Sequence, residues 1–412
     1  MELLLTKTEE LIQKEAKHSA HNYHPLPVVL SKGEGVFVTD VEGKQYFDFL
    51  SAYSAVNQGH CHPKIVAKIK EQSERLTLTS RAFHNDKFAE YAQYVTKLFG
   101  YDKLLPMNTG AEAVETAMKL ARKWAYEKKG IPENEAVILF ASENFHGRTL
   151  AVISASSDPD SKGGFGPYMP GVRQVPYNDL ESLEKALQNR NVAAFIVEPI
   201  QGEAGVVVPD EDYLAKAFEL CCENNVLLVA DEIQTGIGRT GKLLCSDHSG
   251  IKPHMVLLGK ALSGGTVPVS AVLGPNEVMK VIRPGQHGST YGGSPLGCAV
   301  AKTALQVVLQ ESMIHNADKM GKLFRARMNE IIAKSSVVKS VRGKGLLNAI
   351  IIDSPEDSDL AMRICIELMN NGLLAKPTHG NKIRLAPPLV ITEDQMNHAL
   401  DILERTLLKF NN

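Results

Sequence analysis

In the stretch VLLGKALSGG, residues 256–265, the single charge is Lys260, set between an apolar run and a Gly/Ser turn. A lysine in such a place can simply snorkel from a strand end to water. Held beside glycines at the end of a core strand, its amine is also suited to form an imine with an aldehyde. Two other apolar runs end in carboxylates: VLLVADEIQTG in Asp231 and Glu232, and AAFIVEPIQGEAG in Glu198, with Glu203 following. In open α/β sheets ligands sit outside the carboxyl ends of the strands, so the residues just after each run take priority. Lys260 with Asp231 could be a plain salt bridge. The same pair could hold pyridoxal phosphate, the lysine carrying the aldehyde carbon and the aspartate keeping the ring nitrogen protonated, which makes the ring an electron sink.

NTGAEAVETAMKLARKW opens a helix at Thr109-Gly110-Ala111, with an apolar stripe from Ala113 to Ala121. Thr109 and Glu112 read as an ordinary capping box. Alternatively, the free N–H groups at Gly110 and Ala111 cradle a phosphate. One ligand would then account for the helix start, Asp231 and Lys260 together. GIGRTG, Gly236 to Gly241, competes, because it fits GxGxxG after a strand and would suit an NAD-dependent oxidoreductase. That fingerprint needs the glycines to open a long helix, whereas KLLCSDHSGIKP is short and rich in turn residues. GHCHP gathers His60, Cys61 and His62, but strand alternation sends Cys61 away from both histidines, so a loop pair is expected and no metal site.

The elements around these residues follow from periodicity. The chain of 412 residues is 44% apolar and 22% charged, with a formal net charge of −2, which argues against nucleic acid or an anionic membrane as partner and for a small molecule. No window is apolar enough to span a membrane, and MELLLTKTEELIQKEAKHSA reads as a surface helix without a secretory or organellar address. Six cysteines without a regular framework fit a reducing compartment, and the cytoplasm is expected. GVFVTDVEGKQYFDFLSAYSAV alternates around Glu42-Gly43 and predicts a hairpin. Beyond residue 64, helices alternate with strands AVILFAS, AAFIVEPI, VLLVADEI, MVLLGKA and VSAVLG, which predicts an α/β fold with a central, mostly parallel sheet covered on both faces. From Pro295 a smaller α+β domain is expected. The division is 1–53 for the N-terminal segment, 54–294 for the large domain and 295–412 for the small one.

NTGAEA, FHGRT, VEPIQGEAGV, VADEIQTGIGRTGK, LLGKALSGG and HGSTYGGSPLG, in this order along the chain, resemble the fold-type I, class III pyridoxal-phosphate aminotransferases over nearly the whole chain. AHNYHPLPVVL, SAYSAVNQGHCHPKI, RGKGLLNAI and LLAKPTHGNKIRLAPPLVIT are similar to the ornithine-using branch. The resemblance implies pyridoxal 5'-phosphate as cofactor, L-ornithine and 2-oxoglutarate as substrates, ping-pong kinetics and a homodimer with active sites at its interface. It implies that Lys260 binds the cofactor covalently and shuttles the proton, that Asp231 pairs with the ring nitrogen, that Gln234 bonds the ring hydroxyl and that Phe145 stacks on the ring. Gly110 and Ala111 would bind the phosphate, with Thr290 from the second subunit. Tyr23 and Arg148 would hold the far end of the substrate, Tyr53 would shape the pocket, and Glu203 with Arg384 would form a switchable ion pair. His146, His84 and Thr266-Val267 depart from residues often aromatic in the family. They are expected to alter the pocket wall and leave the cofactor chemistry alone. Tyr23 and Tyr53 favour ornithine, whereas His146 points to acetylornithine or 4-aminobutyrate.

Overall fold

The computed structural model describes residues 5–411, so the first four residues of the expected N-terminal helix lie outside it. That helix, Lys7–His18, is closed by a Thr6/Glu9 capping box and buries none of its side chains. Three short strands follow, β1 Leu30–Glu34, β2 Phe37–Asp40 and β3 Gln45–Asp48. The turn between β2 and β3 lies at Glu42-Gly43, as the alternation predicts, and Asp40 Oδ1 accepts the amides of Glu42 and Lys44 across it.

The hairpin does not continue into SAYS. Ser51, Ala52, Tyr53 and Ser54 all have positive φ, between 45° and 72°, which makes a left-handed turn. Such backbone costs about 1–2 kcal/mol per residue. Asp48 Oδ1 holds its start by accepting the amides of Leu50 and Ser51, and the amide of Ala386 donates to Phe49 at 2.7 Å. Strain of this kind persists where surrounding contacts over-determine the backbone, and here it presents Tyr53.

The central sheet contains β4 Lys103–Met107, β5 Val137–Ala141, β6 Val172–Val175, β7 Val192–Val197, β8 Leu227–Asp231, β9 Met255–Leu258 and β10 Ser270–Gly274. Its order is β4-β10-β9-β8-β7-β5-β6. β5, β7, β8 and β9 are buried at every position, as expected for strands covered on both faces. β6 and β4 escape the sequence pattern because they are edge strands. β6 is short and polar, and β4 carries Lys103 and Pro106, residues that a sheet edge tolerates.

Strands β6, β5, β7, β8 and β9 run parallel. β10 is antiparallel both to β9 and to β4. Two reversals restore the direction, so β4 points the same way as the parallel strands. Its carboxyl end therefore delivers Thr109-Gly110 to the edge that also receives Glu198, Asp231 and Lys260.

The C-terminal part contains β11 Val338–Lys344, β12 Leu347–Ile352, β13 Leu373–Leu374, β14 Lys376–Thr378 and β15 Lys382–Leu385. Four of these form a sheet in the order β11-β12-β15-β14, whereas β13 leaves it and pairs in parallel with β3. Helices Met313–Ile332, Leu360–Asn370 and Glu393–Leu408 pack around them, whereas Pro295–Gln310 packs mainly against helices Pro63–Ser73 and Asp86–Phe99.

The GIGRTG segment forms successive turns, and only a short 3-10 turn at Cys245–Ser249 follows, so no helix receives a pyrophosphate there. Its Arg239 has a different use. Fully buried, it donates from Nε and Nη2 to Asn57 Oδ1 and from Nη1 to the carbonyls of Leu346 and Pro387. Burial pushes its pKa down to about 9. One side chain thus ties three distant segments together, and among the described residues no carboxylate forms an ion pair with it, although the charge of Asp48 partly offsets the effect of burial. Arg239→Met should leave three buried acceptors unmatched and destabilise the fold by on the order of 3–5 kcal/mol. A urea midpoint shift worth less than about 1 kcal/mol, at unchanged slope, would show that the cost of burying the charge cancels its bonds.

His60 and His62 diverge. His60 Nε2 lies 2.7 Å from Asp48 Oδ2, and His62 Nε2 lies 3.1 Å from Glu311 Oε2.

Candidate active site

A cavity of about 190 Å³ opens at the carboxyl edge of the central sheet, and Gly110, Ala111, Phe145, Asp231, Gln234 and Lys260 are among its lining residues. The order of the strands explains the convergence. Asp231 is the last residue of β8, Glu198 follows β7, and Lys260 lies just past β9. Lys260 itself has φ 42°, a left-handed backbone rare for a lysine and typical of functional sites.

Burial lowers the pKa of Lys260 below the usual amine value, with Glu203 and Asp231 opposing and Arg384 reinforcing that effect. Its amine is correspondingly easier to deprotonate. Asp231 is 4% exposed. Its Oδ1 accepts the amide of Ile233 at 3.1 Å. Its Oδ2 faces His146 Nδ1 at 2.6 Å, so the imidazole donates through Nδ1.

This corrects the expectation for His146. It was to alter the pocket wall without touching the cofactor chemistry, yet it is buried and bonded to the carboxylate expected under the ring nitrogen. Burial pushes the His146 pKa down, but the hydrogen bond and charge of Asp231, with Glu198, raise it overall. Two carboxylates at one buried spot cannot both ionise cheaply. Burial, with the charge of Asp231 partly offset by His146, raises Glu198 to about 7. Glu198 is a site residue that strand position alone had flagged without a role. Its Oε2 accepts the amide of Phe145 at 3.0 Å and so fixes the loop that carries Phe145 and His146.

The helix Gly110–Trp124 is closed by the Thr109/Glu112 capping box, so the ordinary reading of those two residues holds. It does not compete with an anion site. The box uses the amides of Asn108, Thr109 and Glu112, while those of Gly110 and Ala111 are first-turn donors without an intrahelical acceptor. A Cβ at Gly110 would come within 3.2 Å of Ile233 Cδ1, and one at Gly147 within 2.8 Å of Ala111 Cβ. Both glycines keep the helix start open. Ile233, two residues past Asp231 and also missed from the sequence, supplies an apolar wall to the same cavity.

Glu203 and Arg384 meet as expected, Nη1 to Oε1 at 2.7 Å, although 181 residues separate them. The Arg384 guanidinium also lies 4.7 Å from the centroid of the Tyr53 ring. Burial raises the Glu203 carboxyl, but Arg384 and then Lys260 more than offset it and hold it below the usual value. Gln234 Nε2 donates to Glu203 Oε1 at 3.2 Å and, more weakly, to the Tyr53 carbonyl. It can come this close because residue 202 is glycine, where a Cβ would sit 1.4 Å from Gln234 Oε1.

Other expected residues stay apart from the cavity of Lys260. Arg148 lines a smaller adjoining cavity, with its guanidinium 5.5 Å from the Phe145 ring centroid. Tyr23 is 65% exposed, though near enough to Tyr53 to contribute to raising the latter's pKa, an effect led by burial and Glu203. Thr290 is exposed and lines neither cavity. Neither do His84, Thr266 and Val267: His84 is exposed, Thr266 donates to the Ser263 carbonyl, and Val267 packs on the core.

The donor set fits pyridoxal phosphate. An amine of lowered pKa, a buried carboxylate fixed by its own hydrogen bonds and a helix start with free amides face one enclosed space, between Phe145 and Ile233.

The chain as a whole matches known proteins. The family model for aminotransferase class-III matches residues 18–407. A mitochondrial ornithine aminotransferase of Rattus norvegicus is 59% identical over 403 residues, covering 98% of this chain and 91% of that protein. The crystal structure of the ornithine aminotransferase of Toxoplasma gondii superposes with a TM-score of 0.96 at 46% identity, over 98% of this chain and 96% of that one. An acetylornithine aminotransferase from Elizabethkingia anophelis superposes with a TM-score of 0.92 at 60% identity, over 98% of this chain and all of that one.

Proposed function

Because this chain belongs to the class-III aminotransferases, we propose that it transfers the δ-amino group of L-ornithine to 2-oxoglutarate, giving glutamate 5-semialdehyde and L-glutamate. The observation that carries the substrate choice is the buried Arg384–Glu203 pair beside Tyr53. Ornithine has one amine next to a carboxylate and one without. A free guanidinium near the reacting amine would capture the α-carboxylate and present the wrong nitrogen. Paired with Glu203, Arg384 leaves the δ-amine free to approach.

Lys260, Asp231, Gln234, Phe145, Gly110 and Ala111 would hold pyridoxal 5'-phosphate, the amides of the last two taking its phosphate. When bound, the cofactor supplies an electron sink and stores the amino group between the two substrates, which makes the kinetics ping-pong. Lys260 Nζ, its pKa lowered by burial, takes the proton from the substrate carbon and returns it on the other side of the transfer. Asp231, oriented by the His146 Nδ1–H that donates to it, would pair with the ring nitrogen. In the second half-reaction Arg384 leaves Glu203 and binds the α-carboxylate of 2-oxoglutarate, while Arg148 and Tyr23 keep the far end.

His146 and the Elizabethkingia relative favour a second reading, N-acetylornithine as amino donor. Initial rates with ornithine, acetylornithine and 4-aminobutyrate, each against 2-oxoglutarate, separate the two. A kcat/KM for acetylornithine above that for ornithine would overturn the first.

The working assembly in this reading is a homodimer. Tyr23, Phe83 and Tyr291 are each more than 60% exposed, an unusual amount of bare aromatic surface, and Thr290 sits beside the last of them. Thr290→Ala should weaken cofactor retention several-fold by equilibrium dialysis. A fully active monomer in sedimentation would refute the arrangement. The division at residues 53 and 294 belongs to the same reading, with Arg384 approaching from the small domain. No helix among the described residues is long and apolar enough to cross a membrane. All six cysteines are free, which supports a reducing compartment such as the cytoplasm. Since the rat relative is named mitochondrial, fractionation against a matrix marker is the deciding measurement.

A further inference from the structure

The two substrates of the proposed reaction share a feature away from the reacting carbon. Ornithine, entering by its δ-amine, trails its α-carboxylate, and 2-oxoglutarate, reacting at its keto carbon, trails its second carboxylate. A carboxylate offers about four acceptor positions and an arginine fork fills two of them, so the far end has room for another donor.

The cavity that Arg148 lines also contains Glu203 and His379, and it shares Phe145, His146 and Gly147 with the cavity of Lys260. His379 stands on the turn between β14 and β15. Thr378 Oγ1 donates to the Glu203 carbonyl at 2.6 Å, which ties the turn to the backbone of the switch residue itself. Lys382 Nζ reaches the His379 carbonyl at 3.3 Å, and a Cβ at Gly380 would lie 2.2 Å from the Glu356 carbonyl oxygen, so the turn is seated tightly. His379 has φ 47°, a conformation that histidine adopts more readily than most residues. Among the described residues its imidazole makes no hydrogen bond or ion pair, although it borders a cavity lined with polar groups. The other carboxylates there are engaged: Glu143 Oε1 accepts from Ser157, and Asp158 accepts from Ser161 and the Asp160 amide.

Resting on the reaction proposed above, we infer that His379 is a substrate-contacting residue that binds, together with Arg148, the carboxylate remote from the reacting carbon in both half-reactions. It sets specificity for substrates carrying that second charged end, and it takes no part in the proton transfer at Lys260.

The test measures half-reactions of the cofactor-loaded enzyme by absorbance, with paired substrates. Ornithine is compared with 1,4-diaminobutane, which is ornithine without its carboxylate, and 2-oxoglutarate with pyruvate, which lacks the far one. His379→Leu should raise the apparent dissociation constants of ornithine and 2-oxoglutarate by about tenfold to a hundredfold, the effect of one charge-assisted hydrogen bond. Values for 1,4-diaminobutane and pyruvate should stay within about twofold, with maximal rates nearly unchanged for all four. His379→Gln, which keeps an N–H at similar reach, should recover most of the loss. If the leucine variant does not fold, His379→Asn suits the left-handed backbone while falling short of the imidazole's reach. Equal losses on all four substrates would mean that the turn only positions Glu203, and no loss on any would remove the contact; either result overturns the inference. If the wild type rejects ornithine but uses glutamate and 2-oxoglutarate, the ornithine reading fails while the His379 comparison remains readable from the keto-acid pair.

Discussion

Lys260→Ala is expected to lower turnover at least about a thousandfold while the protein still folds and still retains its cofactor. The size follows from the absence of a substitute. General acid–base groups contribute about 10²–10⁴ to a rate, and among the described residues no second amine lines the cavity of Lys260. Asp231 is held on His146 and Glu198 on the Phe145 amide, and neither is an amine that could take the place of Lys260. Retention follows from the holds proposed for the ring and phosphate, Asp231, Gln234, Gly110 and Ala111, which the substitution leaves in place. Alanine keeps the backbone conformation of residue 260 and removes only the amine. Borohydride treatment should fix a pyridoxyl group on the Lys260 peptide of the wild type and on no peptide of the variant. A small exogenous amine should restore part of the lost rate, since it can fill the emptied space and carry the proton. Turnover within tenfold of wild type would show that another group does the work assigned to Lys260.

Glu203→Ala should move the ratio of the ornithine to the glutamate half-reaction by roughly tenfold to a hundredfold, in favour of glutamate. Arg384 is 2% exposed, and among the described residues its only carboxylate partner is Glu203 at 2.7 Å. Without that partner a buried guanidinium is left with the weak contact to the Gly202 carbonyl and the face of Tyr53, neither of which carries a charge, and any substrate carboxylate beside it is attracted. Charge-assisted pairs are worth about 1.5–3 kcal/mol, which sets the range. Glutamate should react faster because its α-carboxylate no longer has to displace Glu203; ornithine should react slower because its α-end is now captured. Single-turnover absorbance traces with each amino acid read both halves directly. Equal slowing of the two would leave Glu203 a purely structural role.

The pair also sets a pH dependence. Since the carboxyl of Glu203 is held below its ordinary value of 4.5, its contribution is complete above that value and fades as pH falls through the lowered one. Discrimination against glutamate should therefore be constant through neutral pH and decline only under acid conditions, in proportion to protonation of Glu203. In the alanine variant that acid limb should vanish.

The sequence by itself determined the chemistry and the elements nearest to it. Apolar runs ending in Asp231, Glu198 and Lys260 were readable as buried strands because residues covered on both faces leave a continuous hydrophobic signal. The Thr109/Glu112 cap and the Glu42-Gly43 turn were readable because each involves atoms only a few residues apart, and local spacing encodes local contact. Edge strands β4 and β6 were not readable, since half-exposed backbone tolerates proline, lysine and polar residues without any period.

Only the tertiary structure decided which distant groups meet. His146 and Asp231 are 85 positions apart, and their 2.6 Å contact depends on the order of β5, β7 and β8 in the sheet, which no periodicity specifies. The left-handed turn that presents Tyr53 rests on Asp48 just before it and on Ala386 from the far end of the chain. The sequence set aside the nucleotide reading of the segment around Arg239 but gave that residue no role, which came only from its acceptors at Asn57, Leu346 and Pro387. Thr378 and His379 carried no signal either, because their meaning lies in a turn that docks on Glu203. A side chain's type limits what chemistry it can do, but burial and partners set its charge and direction, and these are fixed only when separate segments close around it.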